Sequence, residues 1–324
     1  MFTGENRKEL TRKGYTVVPG VISPSNCDKY VKEYKQWLLQ FGKKWPKSHS
    51  SLINGYNTGH LDTTWQIRLE SKDVFKQIWG TDKLLTSFDA IAIGRPPESG
   101  KEKFDSSNYW LHLDQESTRV GRHAYQGGVY LEEAALDDWT LQVMENSHNV
   151  FEQFFSEDTK AAERSDKEKF FELTKTQVKY FEDNGCEIKR IPVPKGGLVL
   201  WDSRLVHANA SPLKGRANPG RWRYVVFVSM TPAKWASAQD LALKQDAFQK
   251  TLMTNHWSSN GSVLIEESAS SKAFPKKAPE LASSLQVQQL AGVKPYNFKD
   301  RKRNGPTKPR TKTLPKKRKA KELD

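Results

Sequence analysis

The chain has 324 residues, 36% of them hydrophobic and 28% charged, with 10 Trp. This composition excludes a disordered polypeptide and fits one large domain or two small ones. No run approaches the roughly 18 apolar residues of a membrane helix, and the charged opening MFTGENRKEL lacks the apolar stretch of a secretory signal. Of the net charge of +14, residues 294–324 carry +10, so the body of the chain is nearly neutral.

Residues 14–22 (GYTVVPGVI) read as a short strand and turn. Ser25 with Asp28 reads as a helix start. Tyr30, Tyr34, Trp37, Leu38 and Phe41 follow at helical spacing, and Gly42 ends the run. Residues 46–64 are polar and read as a loop. Trp65 to Trp79 reads as a helix closed by Gly80. From Leu84 the texture changes. LLTSFDAIAI, NYWLHLD, AYQGGVYLEE, EIKRIPV, GGLVLWD and RYVVFVSM are short β-rich runs separated by turn residues, the pattern of a sandwich or barrel-like sheet. A polar, helix-like insert over 147–185 interrupts them, with Phe151, Phe154, Phe155, Phe170, Phe171 and Phe181 as its buried face. Residues 233–256 return to helix. Beyond residue 258 the chain is rich in Ser, Ala, Lys and Pro. It reads as a linker over 258–293 and a disordered basic tail over 294–324. The expected architecture is one domain over 1–257, mainly β with flanking helices, its β core at about 84–232. Two cysteines, Cys27 and Cys186, form no disulfide framework and fit a reducing compartment.

Chemistry concentrates in the β-rich part. His112 and Asp114 lie two residues apart in NYWLHLD, and on a strand such residues share a face. His207 follows 95 residues later in LWDSRLVHANAS, after the strand GGLVLW. Two imidazoles and one carboxylate make the facial triad that holds iron(II) and leaves coordination positions open. The tripeptide H-x-D alone is a weak signal, because His49, His60, His123, His148 and His256 show that histidine is not scarce here. The ensemble is stronger, since an arginine opens the next strand. In RWRYVVFVSMTP, Arg221 and Arg223 share the expected strand face, and either guanidinium could hold a carboxylate through two parallel hydrogen bonds. Trp110, Gln126 and Trp201 flank the ligand strands and are candidate pocket residues.

These stretches resemble the phytanoyl-CoA dioxygenase-like group of iron(II)/2-oxoglutarate oxygenases. The matching text is GHLDTTWQIRLE, IWGTDKLLTSFDAIAI, YWLHLDQ, QGGVYL, GGLVLWDSRLVHANASP, RYVVFVSMTPAKWAS and TNHW, spread over residues 10–257. The resemblance implies a double-stranded β-helix (a jelly-roll, cupin-like barrel) with packed helices. It implies His112, Asp114 and His207 as iron ligands, and Arg223 on the far carboxylate of 2-oxoglutarate. It also implies O2 as oxidant, with oxidative decarboxylation to succinate and CO2 and hydroxylation of a substrate C–H. Halogenation is not expected, because related halogenases carry a small residue in place of Asp114. The chain departs from the family pattern in a long basic spacer, SPLKGRANPG, and in DDWTLQVMENSH, which reads as a reshaped loop.

The tail holds two basic clusters, KDRKR and PKKRKAK. Such runs suggest nuclear import or non-specific nucleic-acid contact, so the expected location is cytoplasmic or nuclear. Four readings stand at this point. The first is an oxygenase of a small metabolite or lipid-like substrate. The others are the same chemistry on a nucleic acid tethered by the tail, a non-catalytic binding protein on this fold, and a zinc hydrolase with the same three ligands.

Overall fold

A computed structural model describes residues 1–105, 110–168, 171–265, 275 and 277–313. In chain order the elements are α1 (Gly4–Arg12), β1 (Tyr15–Val18), α2 (Pro24–Leu39), β2 (Leu52–Ile53), α3 (Asp62–Trp79), β3 (Leu84–Thr86), β4 (Ile91–Gly94), β5 (His112–Leu113), β6 (Tyr125–Tyr130) and β7 (Thr140–Glu145). They continue with α4 (Ser147–Glu157), α5 (Thr159–Lys167), β8 (Phe171–Glu172), α6 (Lys175–Asp183), β9 (Glu187–Ile191), β10 (Leu198–Asp202), β11 (His207–Ala210), β12 (Arg223–Pro232), α7 (Ala238–Gln249) and α8 (Leu285–Leu290).

Every strand pairing is antiparallel. One sheet runs β1-β10-β6-β12-β4-β2, with β3 also on β12; the other runs β8-β5-β11-β7-β9. Between them lies an apolar lumen that includes Ala92, Tyr130, Val143, Val199, Trp201 and Val225. This is the double-stranded β-helix that the β-rich runs and the resemblance lead one to expect. Helices α2 and α3 cover the larger sheet with Tyr34, Trp37, Trp65 and Phe75. Helices α4 to α6 cover the smaller sheet with Phe151, Phe154, Phe155 and Phe181. Phe170 lies outside the described residues.

Several local expectations need correction. The cap of α2 is Ser23, whose hydroxyl accepts from the Asn26 N–H, with Pro24 in the first turn. Pro is pre-set for that position, so the helix begins ahead of Ser25. An unexpected α1 forms on a Thr3–Asn6 capping box. The expected helix over 233–256 is confined to α7, because Ser237 caps it late and the chain turns at Thr251, which takes a φ of +55°. The middle of DDWTLQVMENSH is a strand rather than a loop, β7 pairing with both β11 and β9, and its last two residues open α4.

The largest correction concerns the C-terminal part. Residues expected to form a linker carry α8, whose Val287 and Leu290 are fully buried in the main core. The tail then runs as a strap across the domain. The Tyr296 hydroxyl donates to Leu84 O (2.9 Å), Lys83 Nζ to Asn304 Oδ1 (2.7 Å) and Trp235 Nε1 to Pro306 O (2.8 Å). Val120 N donates to Arg310 O (2.9 Å) and Lys312 N to Thr118 O (2.8 Å). Average composition concealed LQVQQLAGV, a short apolar stripe sufficient to dock one helix. The cluster PKKRKAK lies outside the described residues.

Candidate metal centre

Backbone pairing brings the two distant histidines together. His112 on β5 is the register partner of His207 on β11, and their ring centroids are 4.4 Å apart. His207 opens its strand rather than trailing the one before it. Each imidazole donates Nδ1–H to a carbonyl two residues earlier, His112 to Trp110 O (3.1 Å) and His207 to Leu205 O (2.9 Å). A carbonyl can only accept, so both rings are fixed with Nε2 as the lone-pair nitrogen. Those Nε2 atoms face the Asp114 carboxylate, at 3.7 Å from Oδ1 for His112 and 3.3 Å from Oδ2 for His207. One ligand atom from each of the three lies within 4.8 Å of the others, close enough to share one ion. Strand β5 itself ends at Leu113, so Asp114 sits just past its end.

The electrostatics suit a cation. Burial pushes the His112 pKa down to about 4, and the neighbouring His207 adds to the shift, so this imidazole is neutral near pH 7. Burial works against the Asp114 carboxylate, yet the His256, His207 and His112 imidazoles hold it well below the ordinary carboxylate range. Two imidazoles and one carboxylate are an appropriate donor set for iron(II).

The three candidate pocket residues all lie beside the triad. Trp110 stacks on His112 (4.6 Å, 15°), and Trp201 is 5.2 Å from His207 with its buried indole N–H unpartnered among the described residues. Gln126 Nε2 donates to Asp114 Oδ2 at 3.1 Å.

The two arginines separate. Arg221 precedes β12 and is drawn away by carboxylates, Asp138 at 2.8 Å and Glu133 at 3.3 Å. The expectation that it shares the strand face of Arg223 is therefore corrected. Arg223 is buried, and donates to Asn209 Oδ1 (2.9 Å), Ser51 Oγ (3.1 Å) and Tyr130 Oη (3.3 Å). All three partners are neutral, its Nε has no partner, and no carboxylate lies within ion-pair distance among the described residues. A buried cation without a counter-charge is costly. Asn209 stands two residues after His207 on the same face of β11, about 7 Å along the strand, and its amide thus ties the Arg223 guanidinium to the face that carries the triad. Beside Asn209 opens a cleft of about 450 Å³, lined by Ser50, Phe104, Trp110 and Trp139 among others.

Sequence reasoning missed His256, which it treated as background. Its Nδ1 lies 3.9 Å from Asp114 Oδ2. The only signal was its place in TNHW. Asn209, Ser51 and Tyr130, the partners of Arg223, were also missed, because no motif marks them.

A model of the phytanoyl-CoA dioxygenase family matches residues 10–212, a stretch that includes all three triad residues and ends before Arg223. The chain belongs to the phytanoyl-CoA dioxygenase family. This dioxygenase is 30% identical over 272 residues to Ava biosynthesis cluster protein O of Aspergillus versicolor, covering 78% of this chain and 85% of that protein. Its fold is similar to that of SnoK, a non-haem α-ketoglutarate-dependent carbocyclase of nogalamycin biosynthesis, with a TM-score of 0.50 at 13% identity over 72% of this chain and 85% of that one. It is also similar to EctD from S. alaskensis, solved with 2-oxoglutarate and 5-hydroxyectoine, with a TM-score of 0.50 at 12% identity over 85% and 87% of the two chains. The dioxygenase uses iron and 2-oxoglutarate, with O2 as oxidant. No helix among the described residues is long and apolar enough to cross a membrane.

Proposed function

We propose that the enzyme hydroxylates a C–H bond of a small organic substrate, with His112, Asp114 and His207 as iron ligands and Arg223 as the cosubstrate anchor. The observation that carries this reading is the buried guanidinium of Arg223, which faces the triad's lumen with no carboxylate of its own. A dicarboxylic 2-oxo acid supplies what is missing: one end for the metal, the other for the arginine. Iron and 2-oxoglutarate, when bound, supply the oxidising chemistry. The chain's residues hold and orient it. Gln126 fixes the Asp114 carboxylate, the two carbonyls fix the imidazoles, and the Trp110 and Trp201 rings keep the site dry.

A small substrate is favoured over a tethered nucleic acid. The first basic cluster belongs to a strap packed on the domain, and the cleft beside Asn209 suits a small molecule. The zinc-hydrolase reading leaves Arg223 without a role. The test is a succinate-release screen over metabolite and nucleic-acid pools with iron(II) and 2-oxoglutarate. Stimulation by a small-molecule fraction, absent in His207→Ala, is expected. Stimulation by nucleic acid alone would overturn the substrate class, and zinc retained with no succinate formed would overturn the oxygenase reading.

A further inference from the structure

We propose that the cleft beside Asn209 seats the substrate, and that it takes a planar ring system bearing an anionic group. This rests on the oxygenase reading above and names the chemistry its substrate carries.

The cleft adjoins the metal site through two shared residues. Trp110 lines it and also stacks on His112, with ring centroids 4.6 Å apart and planes at 15°. Asn209 lines it and also accepts from Arg223 (2.9 Å). The Trp110 indole N–H donates to Asn209 O (3.0 Å), which holds the two together. From His207 strand β11 runs on to Ala210, a further residue of the lining, about 10 Å along the strand. A guest in this cleft is thus one small molecule's length from the triad. The volume, about 450 Å³, falls among small-ligand sites, which span roughly 300–1,000 Å³.

The walls select for a flat apolar body. Phe104, Trp110 and Trp139 give the cleft its aromatic surface. Both indoles are fixed before any guest arrives: Trp139 Nε1 donates to Arg95 O (2.9 Å), and the His49 ring braces Trp110 edge-on at 5.0 Å. Rigid rings of this kind favour an aromatic guest, which packs on them face to face or edge to face.

The charge balance selects for an anion. The charged residues of the lining are Lys101, Glu102, Lys103 and Asp105. Guanidinium groups already match both carboxylates. Glu102 Oε1 accepts from Arg95 Nε (3.1 Å) and Nη2 (3.0 Å), and Asp105 Oδ2 accepts from Arg190 Nη1 (2.8 Å). Lys101 and Lys103 are exposed and have no ion pair among the described residues. Residues 106–109, Ser-Ser-Asn-Tyr, bring no further charge. A loaded centre does not offset the two ammoniums either. The charges of iron(II) and Arg223 are matched by Asp114 and the two carboxylates of 2-oxoglutarate. One exposed lysine marks nothing. Two on an aromatic cleft beside the metal, with each carboxylate there already paired, attract an anionic guest and repel a cationic one.

2-Naphthoate, 2-naphthylmethanol and 2-naphthylmethylamine share a ring system and differ in the charge offered. Their affinities for the nickel-loaded, 2-oxoglutarate-bound enzyme can be measured by titration calorimetry at low ionic strength, where screening is weak. Naphthoate is expected to bind at least about fivefold more tightly than the other two, the size of two exposed ion pairs. The double variant Lys101→Gln, Lys103→Gln should lose that preference. The double variant Lys32→Gln, Lys35→Gln, which takes the same charge from the exposed face of α2, should keep it. No measurable naphthoate binding, no preference, a preference that survives without Lys101 and Lys103, or one lost equally in the α2 variant overturns the proposal. Naphthoate that binds only when 2-oxoglutarate is absent is held at Arg223, and overturns it too. Failure of 2-oxoglutarate to bind the nickel enzyme in the preceding titration would instead overturn the oxygenase reading beneath it.

Discussion

His112 and His207 face each other across neighbouring antiparallel strands, as direct register partners. A single backbone pairing thus sets the spacing of two metal ligands, and the register cannot slip without turning one imidazole out of the lumen. Replacing His112, Asp114 or His207 by Ala should leave a folded protein that retains little iron and releases no succinate. Metal analysis alongside the turnover assay checks this, and substantial residual turnover would place the centre elsewhere.

Gln126 tests the support around that centre. Its amide donates to Asp114 Oδ2, and removing a hydrogen bond of this kind typically costs about 10–100-fold in metal affinity or activity. Gln126→Ala is expected to weaken iron binding within that range, read from competition with a chelator. Gln126→Glu, which sets a second carboxylate against the first, should alter affinity and its pH dependence together.

Arg223 separates a binding role from a structural one. Arg223→Met removes a buried cation that has only neutral partners. The unliganded variant should melt no lower than the parent, because losing an unbalanced buried charge offsets the lost hydrogen bonds. Added 2-oxoglutarate should raise the melting temperature of the parent and not of the variant. Arg223→Lys should recover little, since an ammonium lacks the planar fork. A variant that collapses without ligand would assign Arg223 to the fold instead.

Protons should destabilise the metal-free protein. Burial holds His60, His112 and His123 at about 3, 4 and 4, against about 6.5 once the chain is unfolded. Between about pH 6.5 and 4 the unfolded chain therefore binds more protons than the folded one, and stability falls as pH falls through that window. The melting temperature should be nearly flat above about pH 7.5 and decline steadily toward pH 5. A flat profile across that range would contradict the neutral, buried state of these rings.

The sheet and the triad were legible in the sequence because both carry local signals. Runs of β-forming residues between turn residues marked most strands, and H-x-D followed by a distant His and an Arg marked the site. The remainder depends on contacts remote in sequence. Arg221 and Arg223 look alike in a strand pattern, and only Asp138 and Glu133, some 80 residues away, distinguish them. His256 carries no local sign of its partner, because Asp114 lies 142 residues earlier and meets it only in the folded chain. Leu290 and Val287 were obscured by the polar composition around them.

Leu290 offers a direct check on the C-terminal correction. It is fully buried, and Leu290→Ala at such a position costs about 2–5 kcal/mol. Chemical denaturation should read that loss. Ending the chain at residue 293 should also lower the melting temperature, as it removes the bonds from Tyr296, Asn304, Pro306 and Arg310. A tail that only floats in solvent would leave the melting temperature of the truncated chain unchanged, and a linker without a packed core would leave Leu290→Ala as stable as the parent.

The strap also bears on the order in which the molecule is completed. The loop leaving Asp114 obtains its backbone partners at Thr118 and Val120 from Lys312 and Arg310. During synthesis the barrel strands emerge long before those partners exist. Closing so long a stretch of chain is slow compared with hairpin formation. The loop beyond Asp114 can therefore be completed only once the C-terminal strap has been made, whereas the pairing of His112 with His207 needs none of it.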